Sequence, residues 1–270
     1  MPALRTSVSI YSVKPREATR RIGLARSLSK LGHCSRSQAA ALIRDGRVRL
    51  NGSVRRDPET PVDLKQDRIL VDKHTIEAKE KLYLMMNKPR GLVTSASDEK
   101  GRTTVYSLLK ATSTTGTRND PHGGLPWVAP VGRLDKASEG LLLLSNDSEW
   151  AARITAPETH LEKTYHVQVA GVAEEISLPA LVSGVRTADG EVLRVKRARR
   201  LRSGQKNCWL EIILDEGKNR HLRRMLAAVG VEVLRLVRVA IGPLQLGELQ
   251  KGAFRALNKE EKRQLDRAIT

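Results

Sequence analysis

The segment PVGRLDKASEGLLLLSND, Pro130 to Asp147, decides the fold and carries the first candidate for chemistry. A glycine stands on each side of a charged loop, and the apolar run Leu141–Leu144 has the length of a buried strand. We expect this arrangement to hold the loop rigidly at the edge of a core. Asp135 lies in the loop between Arg133 and Lys136, and nearby cations favour an ionised carboxylate. Such a group can serve as nucleophile, general base or metal ligand, whereas a plain salt bridge in the loop is the alternative. The cationic surroundings, and the lack of a second carboxylate at ligand spacing, disfavour a metal.

The regions around this segment predict an α+β domain with more strands than helices. Strands are predicted at Leu82–Met86, Leu141–Leu144, Tyr165–Val169, Leu193–Arg197 and Leu210–Leu214, and helices near Glu149–Ile154 and Asn219–Val229. The polar stretch Ala111–Gly124 reads as a surface loop. Because strands and helices do not alternate, we expect a mixed, mostly antiparallel sheet with flanking helices.

A smaller unit precedes this domain. Leu24, Leu28 and Leu31 form one apolar helix face, and a glycine follows where that helix would stop. The sequence Ser35-Arg36-Ser37-Gln38 is a capping box that opens a second helix, and Asn51-Gly52 is a strong hairpin signal. The expected order is therefore helix, helix, β-hairpin. The whole chain divides into a flexible basic arm (1–19), this small domain (20–80), a second domain (81–260) and a C-terminal tail (261–270).

Charge and composition limit the classes of function. The chain has 48 Lys and Arg against 30 Asp and Glu, a net charge of +18, which indicates a polyanionic partner such as nucleic acid or an acidic membrane. Between Arg20 and Arg56, ten basic residues face a single acid, although these could be merely solvated helix faces. No apolar stretch approaches the ~20 residues of a membrane span, and no basic amphipathic helix carries Trp or Phe on its apolar side. Aromatic residues make up only 3%, which excludes an aromatic stacking platform as the main binding device.

Two cysteines, Cys34 and Cys208, lie far apart and outside any metal-binding spacing. This excludes a disulfide framework or a zinc knuckle and predicts a protein of the reducing cytoplasm.

Two resemblances to known families follow from these motifs. The stretch SKLGHCSRSQAAALIRDGRVRLNG, from Ser29 to Gly52, resembles the αL-type RNA-binding domain typified by a small-subunit ribosomal protein. The central segment is similar to the signature of RsuA-type pseudouridine synthases. Three more stretches match that family in order, namely LMMNKPRGLVTS (Leu84–Ser95), EKTYHVQV (Glu162–Val169) and EGKNRHLRRMLAAVGVEVLRLVRVAIGPLQLGELQKGAFRAL (Glu216–Leu257).

The second resemblance implies an enzyme that isomerises a uridine of ribosomal RNA, flipped out of its stack, without cofactor or metal. It implies that Asp135 is the catalytic aspartate, that Tyr165 lies against the target base, and that Arg223 pairs with the aspartate. Leu236 would line the uracil pocket, and we expect Arg133 to contact substrate as well. Expected RNA-binding residues are Lys30, Arg36, Arg44, Arg47, Lys218, Arg220 and His221. The sequence departs from the family pattern at His221 and Lys218, which replace Gln and Arg.

The residue patterns alone leave other interpretations open. Tyr165 begins an alternating strand and could be an ordinary core tyrosine, and the cations of the helix near Arg223 could be its wet face. The strip Arg194–Arg202 could face RNA or could be a charged edge that discourages sheet aggregation. The competing function is a non-catalytic RNA-binding or ribosome-assembly factor, and we expect a monomer acting on free, precursor or subunit-bound ribosomal RNA.

Overall fold

A computed structural model describes residues 21–96, 100–110, 125–171 and 177–270. The predicted basic arm (1–19) and the predicted loop Ala111–Gly124 lie outside the described residues. Within these ranges, no helix combines the length and the apolar character that a membrane crossing requires.

The described chain contains short helices and many strands. The helices are α1 (Leu24–Lys30), α2 (Arg36–Arg44), α3 (Tyr106–Lys110), α4 (Ser148–Thr155), α5 (Leu178–Ser183), α6 (His221–Ala228) and α7 (Lys259–Ala268), with a 3₁₀ turn at Pro157–Thr159. The strands are β1 (Ile22–Gly23), β2 (Val48–Leu50), β3 (Ser53–Val54), β4 (Pro61–Val62), β5 (Ile69–Val71), β6 (His74–Thr75), β7 (Tyr83–Lys88), β8 (Ala129–Val131), β9 (Glu139–Ser145), β10 (Lys163–Ala170), β11 (Val185–Arg186), β12 (Val192–Leu193), β13 (Arg197–Ser203), β14 (Asn207–Leu214), β15 (Val233–Ile241), β16 (Leu244–Gln245) and β17 (Phe254–Ala256).

The N-terminal unit has the predicted helix, helix, hairpin order. Ser35 Oγ accepts a hydrogen bond from Gln38 N at 3.2 Å, and Gln38 Oε1 accepts one from Ser35 N at 3.0 Å, so the capping box is formed. Asn51 and Gly52 both have positive φ, 51° and 84°, as a type I′ turn between β2 and β3 requires. The unit has its own apolar core, in which Leu24, Leu28 and Ile43 are fully buried.

The larger unit is built on one sheet with strand order β13-β14-β10-β15-β9-β7-β17. In the described part of this sheet, β9 and β15 pair in parallel and the other neighbours are antiparallel. All seven residues of β9 are buried because apolar clusters cover both of its faces. The architecture is the predicted α+β class with a mixed, mostly antiparallel sheet and flanking helices.

Two predictions outside the cleft differ from the structure. The predicted strand Leu193–Arg197 is split, since β12 ends at Leu193 and β13 begins at Arg197. Between them the backbone turns toward other partners, with Val195 N donating to Leu181 O and Lys196 N to Ile213 O. The predicted tail 261–270 is wrong, because α7 occupies most of it and buries Leu265 completely in the core beside β9.

The two units contact each other directly. Trp127 N donates to Gly32 O at 3.0 Å, and Lys30 Nζ lies 2.7 Å from Glu149 Oε1. Asn146 holds the segment that connects the two units, around Glu77 to Lys81. Its amide donates to Glu80 O and its carbonyl accepts from Leu82 N, both at 2.8 Å. Asn146 of the larger unit therefore holds the chain on both sides of Lys81, where the connecting segment ends.

Candidate active site

One cleft of about 660 Å³ brings together most of the residues that the sequence singled out. Its walls come from the turn after β8, from β10 and β15, and from the loop that joins β14 to α6. The predicted site residues that line it are Arg133, Asp135, Tyr165, Lys218, Arg220, His221, Arg223 and Leu236. These residues span 104 positions of sequence, from 133 to 236, so only the fold brings them together.

The turn that carries Asp135 is held from below by a buried lysine. Lys88 Nζ donates to Ser138 O at 2.8 Å, Asp135 O at 3.1 Å and Pro89 O at 3.2 Å. Burial lowers the pKa of Lys88 to about 8, an effect that the carboxylates of Asp135 and Glu139 oppose. The turn is thus fixed through backbone carbonyls, which leaves the Asp135 carboxylate available.

A second set of contacts pins the same turn from the side. Thr94 Oγ1 donates to Leu134 O at 2.7 Å, and Gly91 N donates to Lys136 O at 2.7 Å. At Gly140, where the turn enters β9, φ is +100° and an added Cβ would lie 2.2 Å from Arg238 O. Because only glycine fits here, the sequence allows β9 and β15 to approach closely directly behind the aspartate.

The Asp135 side chain is 29% exposed at the mouth of the cleft, and its nearest cation is not the predicted one. Arg220 Nη1 lies 4.0 Å from Asp135 Oδ2. Arg223 instead donates from Nη2 to Ala137 O at 3.1 Å and from Nη1 to Val233 O at 3.4 Å. The predicted ion pair of Arg223 with Asp135 is therefore not formed in this structure; Arg223 braces the backbone of the turn.

The unusual backbone at Arg220 explains why this residue, and not Arg223, is the arginine beside Asp135. Arg220 precedes α6 with φ 47° and ψ 32°, a left-handed conformation that ends the preceding loop and directs the chain into the helix. The predicted helix Asn219–Val229 accordingly begins only at His221. Arg220 thereby remains exposed at the rim of the cleft, whereas Arg223 is half-buried in its wall.

Tyr165 and Leu236 belong to the apolar part of the cleft. Tyr165 is half-buried on β10 and packs against apolar clusters on either side, and Leu236 is 6% exposed on β15. Val167 of β10 lies opposite Leu236, so Tyr165 and Leu236 are diagonal neighbours on one face of the sheet. A flat aromatic ring beside an aliphatic side chain suits a planar ligand.

His221 and Lys218 occupy different positions in this site. His221 is 4% exposed, and burial lowers its pKa, so it is uncharged near pH 7 and lies in the wall of the cleft. Lys218 is at the rim, where its Nζ lies 3.1 Å from Glu216 Oε2 and 3.2 Å from Glu191 Oε1. Of these two predicted RNA contacts, only Lys218 presents a charge at the surface.

The four basic residues predicted to bind RNA on the small unit lie outside the cleft. Lys30 is engaged with Glu149, and Arg47 forms a bidentate ion pair with Asp72. Arg36 and Arg44 are exposed, and in the described ranges neither side chain has an ion pair. Arg36 and Arg44 are therefore the freer charges of the four.

Sequence reasoning missed two residues that complete the site. Lys88 falls within the stretch Leu84–Ser95 and has no predicted role of its own, although a lysine between an apolar strand and a proline is a signal for a buried cation. Arg238 is 6% exposed, lines the cleft and donates from Nε to Leu141 O at 2.7 Å. Its alternation with Leu236 along β15 placed it on the same face, which was visible in the sequence.

Comparisons with known proteins agree with this architecture. Residues 82–228 match the family model described as RNA pseudouridylate synthase, and residues 22–69 match the S4 domain. An uncharacterized RNA pseudouridine synthase of Aquifex aeolicus is 37% identical over 90% of this chain and 92% of its own length. Ribosomal large subunit pseudouridine synthase B of Bacillus subtilis is 33% identical over 90% of this chain and 94% of its own.

A solved structure extends the match to three dimensions. The crystal structure of a pseudouridylate synthase superposes with a TM-score of 0.60 at 30% identity, covering 90% of this chain and 99% of that one. The two family models match in the same order as the two units of the structure, with the S4 match first and the synthase match over the unit that contains the large sheet. The chain belongs to the RNA pseudouridylate synthase family, in its RsuA-type form with an N-terminal S4 domain.

Proposed function

We propose that this enzyme converts a specific uridine of ribosomal RNA to pseudouridine, with Asp135 as the catalytic carboxylate. The observation that carries the proposal is the placement of Asp135. Its carboxylate stands partly exposed at the mouth of the cleft, next to Arg220, while its own backbone is tied down by Lys88. A fixed, accessible carboxylate facing a pocket with an aromatic wall is what a reaction on a single flipped base requires.

The reaction explains the use of the remaining residues. It breaks the bond between ribose C1′ and uracil N1, turns the base, and joins C1′ to C5, so it imports no atom and no electron. Asp135 acts on the nucleotide as nucleophile or base, and the Arg220 guanidinium lies 4.0 Å from its carboxylate at the rim of the cleft. Tyr165 supports the detached ring with its face, and Leu236 excludes water beside it.

Ribosomal RNA is the proposed substrate because of the S4 domain and the named relatives. The Bacillus subtilis relative is named for the large ribosomal subunit. On this proposal, the exposed Arg36 and Arg44 contact RNA phosphates, while Lys218 and Arg133 contact the strand at the rim of the cleft. The functional units are residues 20–80 for RNA binding and 81–260, now extended by α7, for catalysis.

The test compares Asp135→Asn with a matched variant, Asp189→Asn. Both changes remove one negative charge, but Asp189 is an exposed turn residue outside the cleft. We expect Asp135→Asn to abolish pseudouridine formation on ribosomal RNA while its affinity for that RNA stays within about twofold, since the changed group is not a phosphate contact. Asp189→Asn should retain activity. Pseudouridine formed by Asp135→Asn at the wild-type rate would refute the role of this carboxylate.

The substrate itself is tested by mapping pseudouridines in ribosomal RNA from cells with and without the gene. One site that disappears on deletion and returns with wild-type protein supports the proposal. If Asp135→Asn restores wild-type growth to the deletion strain without restoring the modification, the competing role as an RNA-binding assembly factor is favoured.

A further inference from the structure

The cleft contains buried donors that lack acceptors. Among the described residues, two buried guanidinium nitrogens, Nε of Arg223 and Nη2 of Arg238, have no hydrogen-bond partner, and both residues line the cleft. Buried polar groups are normally paired, because leaving one unpaired costs free energy. Their concentration around one cavity indicates that a ligand supplies the missing acceptors.

Arg238 is the most informative of these residues because a β-bulge sets its position. The register of β10 with β15 runs from Thr164 opposite Ala240 directly to Tyr165 opposite Arg238, so Val239 is the extra residue. Without this bulge Tyr165 would face Val239. Bulges next to active sites commonly re-aim a side chain, and here the bulge brings a guanidinium opposite the tyrosine.

The guanidinium of Arg238 is only partly used by the protein. Nε donates to Leu141 O at 2.7 Å, whereas Nη2 is buried with no acceptor in the described part of the chain. Directly opposite cross-strand side chains lie about 4.5–5.5 Å apart at Cβ, so the Arg238 side chain leaves β15 beside that of Tyr165, and both residues line the cleft.

A second cation lies on the same strand face as Tyr165. Lys163 is two residues before it on β10 and also lines the cleft. Burial lowers the pKa of Lys163, the charge of Arg238 lowers it further, and Asp215 opposes the change. The floor of the cleft therefore concentrates positive charge that side chains of the protein compensate only in part.

We propose that Arg238, supported by Lys163, recognises the target base by donating a hydrogen bond from Nη2 to a carbonyl oxygen of uracil. This inference rests on the proposed function and assigns a base-recognition residue to the same cleft. Uracil has two such oxygens, O2 and O4, whereas cytosine presents an amino group in place of O4. A donor at the O4 position thus also discriminates against cytosine.

The same contact stabilises the base after it is released. When the C1′–N1 bond breaks, its electron pair stays on uracil and the negative charge spreads over N1, O2 and O4. Joining C5 to C1′ returns that pair to a carbon–carbon bond, while C5 loses a proton and N1 gains one, so the balance is closed. A guanidinium held in a dry pocket lowers the energy of this anionic stage.

The first experiment uses the wild-type enzyme and modified RNA. Fragments centred on the mapped uridine carry uridine, 2-thiouridine or 4-thiouridine at that position, since sulfur is a poorer acceptor than oxygen. We expect one of the two substitutions to slow the single-turnover rate by about tenfold or more, because hydrogen bonds to charged donors are among the stronger ones. Equal rates on all three RNAs would overturn the proposal without any variant.

The second experiment links this effect to the residue. In Arg238→Gln, the rate on unmodified RNA should fall and the penalty for the sensitive sulfur should shrink toward onefold. In Arg153→Gln, which removes an exposed arginine of α4 outside the cleft, rate and penalty should match wild type. Because Arg238 also holds Leu141 O, circular dichroism checks folding, and Lys163→Gln serves as a second variant whose sulfur penalty should also fall.

The outcomes separate this inference from the proposed function. If wild-type enzyme forms no pseudouridine in ribosomal RNA, the proposed function is wrong. If it does, and the sulfur penalty is as large in Arg238→Gln and Lys163→Gln as in wild type, then only the role of Arg238 is refuted.

Discussion

Replacing Gly140 by alanine should destabilise the synthase domain far more than the same change at Gly91. The two glycines have nearly identical φ angles, +100° and +99°, so both variants incur the strain of a residue with positive φ, about 1–3 kcal/mol. The sites differ in space. A Cβ at Gly91 meets nothing within 4 Å, whereas at Gly140 it would lie 2.2 Å from Arg238 O and 2.8 Å from Arg238 N.

The additional cost at Gly140 follows from the strand pairing. A carbon needs about 3.3 Å from a carbonyl oxygen, so β9 and β15 must separate by roughly 1 Å. This breaks the parallel pairing at Val237–Glu139 and Arg238–Gly140 and leaves buried backbone groups unpaired. At about 1–3 kcal/mol for each orphaned group, we expect Gly140→Ala to lose about 3–5 kcal/mol more than Gly91→Ala.

Urea unfolding followed by tryptophan fluorescence measures this difference. All three tryptophans, at positions 127, 150 and 209, lie in the synthase domain, so the signal reports on that domain. The linear extrapolation to zero urea gives the free energy of unfolding for each variant. If Gly140→Ala falls within 1 kcal/mol of Gly91→Ala, on the order of the measurement error, the close approach of the two strands is not the constraint described here.

Three other predictions concern charge and packing. The pKa of Lys88 is about 8 in the folded state and higher in the unfolded state, so above pH 8 the unfolded state binds more protons. As the pH rises from 8 to 10.5, the free energy of unfolding of wild type should therefore increase by up to about 3 kcal/mol relative to Lys88→Met. Parallel pH curves for the two proteins in urea titrations would contradict this. Arg44→Ala should weaken RNA binding and lower its salt slope by about 1, whereas Arg47→Ala should change the slope less because Asp72 already neutralises Arg47; equal slopes in filter binding would argue against the distinction. Leu265→Ala should cost about 2–5 kcal/mol in thermal or urea unfolding, and a loss below 1 kcal/mol, the order expected for a surface site, would mean that α7 is peripheral.

The fold could be predicted from local patterns where those patterns have one physical solution. The capping box at Ser35 and the Asn51-Gly52 turn form as expected, because each depends on neighbouring residues alone. The strand Leu141–Leu144 forms as expected because its continuous apolar run suits burial on both faces. The C-terminal helix was missed because α7 is mostly charged and buries few residues, although its own capping box, Asn258 with Glu261, was present in the sequence.

The site was predictable in membership but less so in pairing. Motif positions indicate which residues share the cleft, and Asp135, Tyr165 and Leu236 are indeed brought together. The partner of Asp135 depends on the left-handed backbone at Arg220, which no side-chain pattern announces. Likewise, Arg238 lies opposite Tyr165 only because a bulge shifts the register by one residue. A strict period of two along the strand predicts neither this bulge nor the pairing that results from it.

The contacts that join the S4 domain to the synthase domain fix the separation between the two units. With Trp127 bonded to Gly32, Lys30 to Glu149 and the connector clasped by Asn146, the arginines of the first helices stand at a set distance from the mouth of the cleft. On the proposed function, an RNA binds to both units only when the distance between its bound backbone and its flipped-out nucleotide matches this separation. The enzyme can then discriminate among many uridines by this distance, before any contact tests the identity of the base.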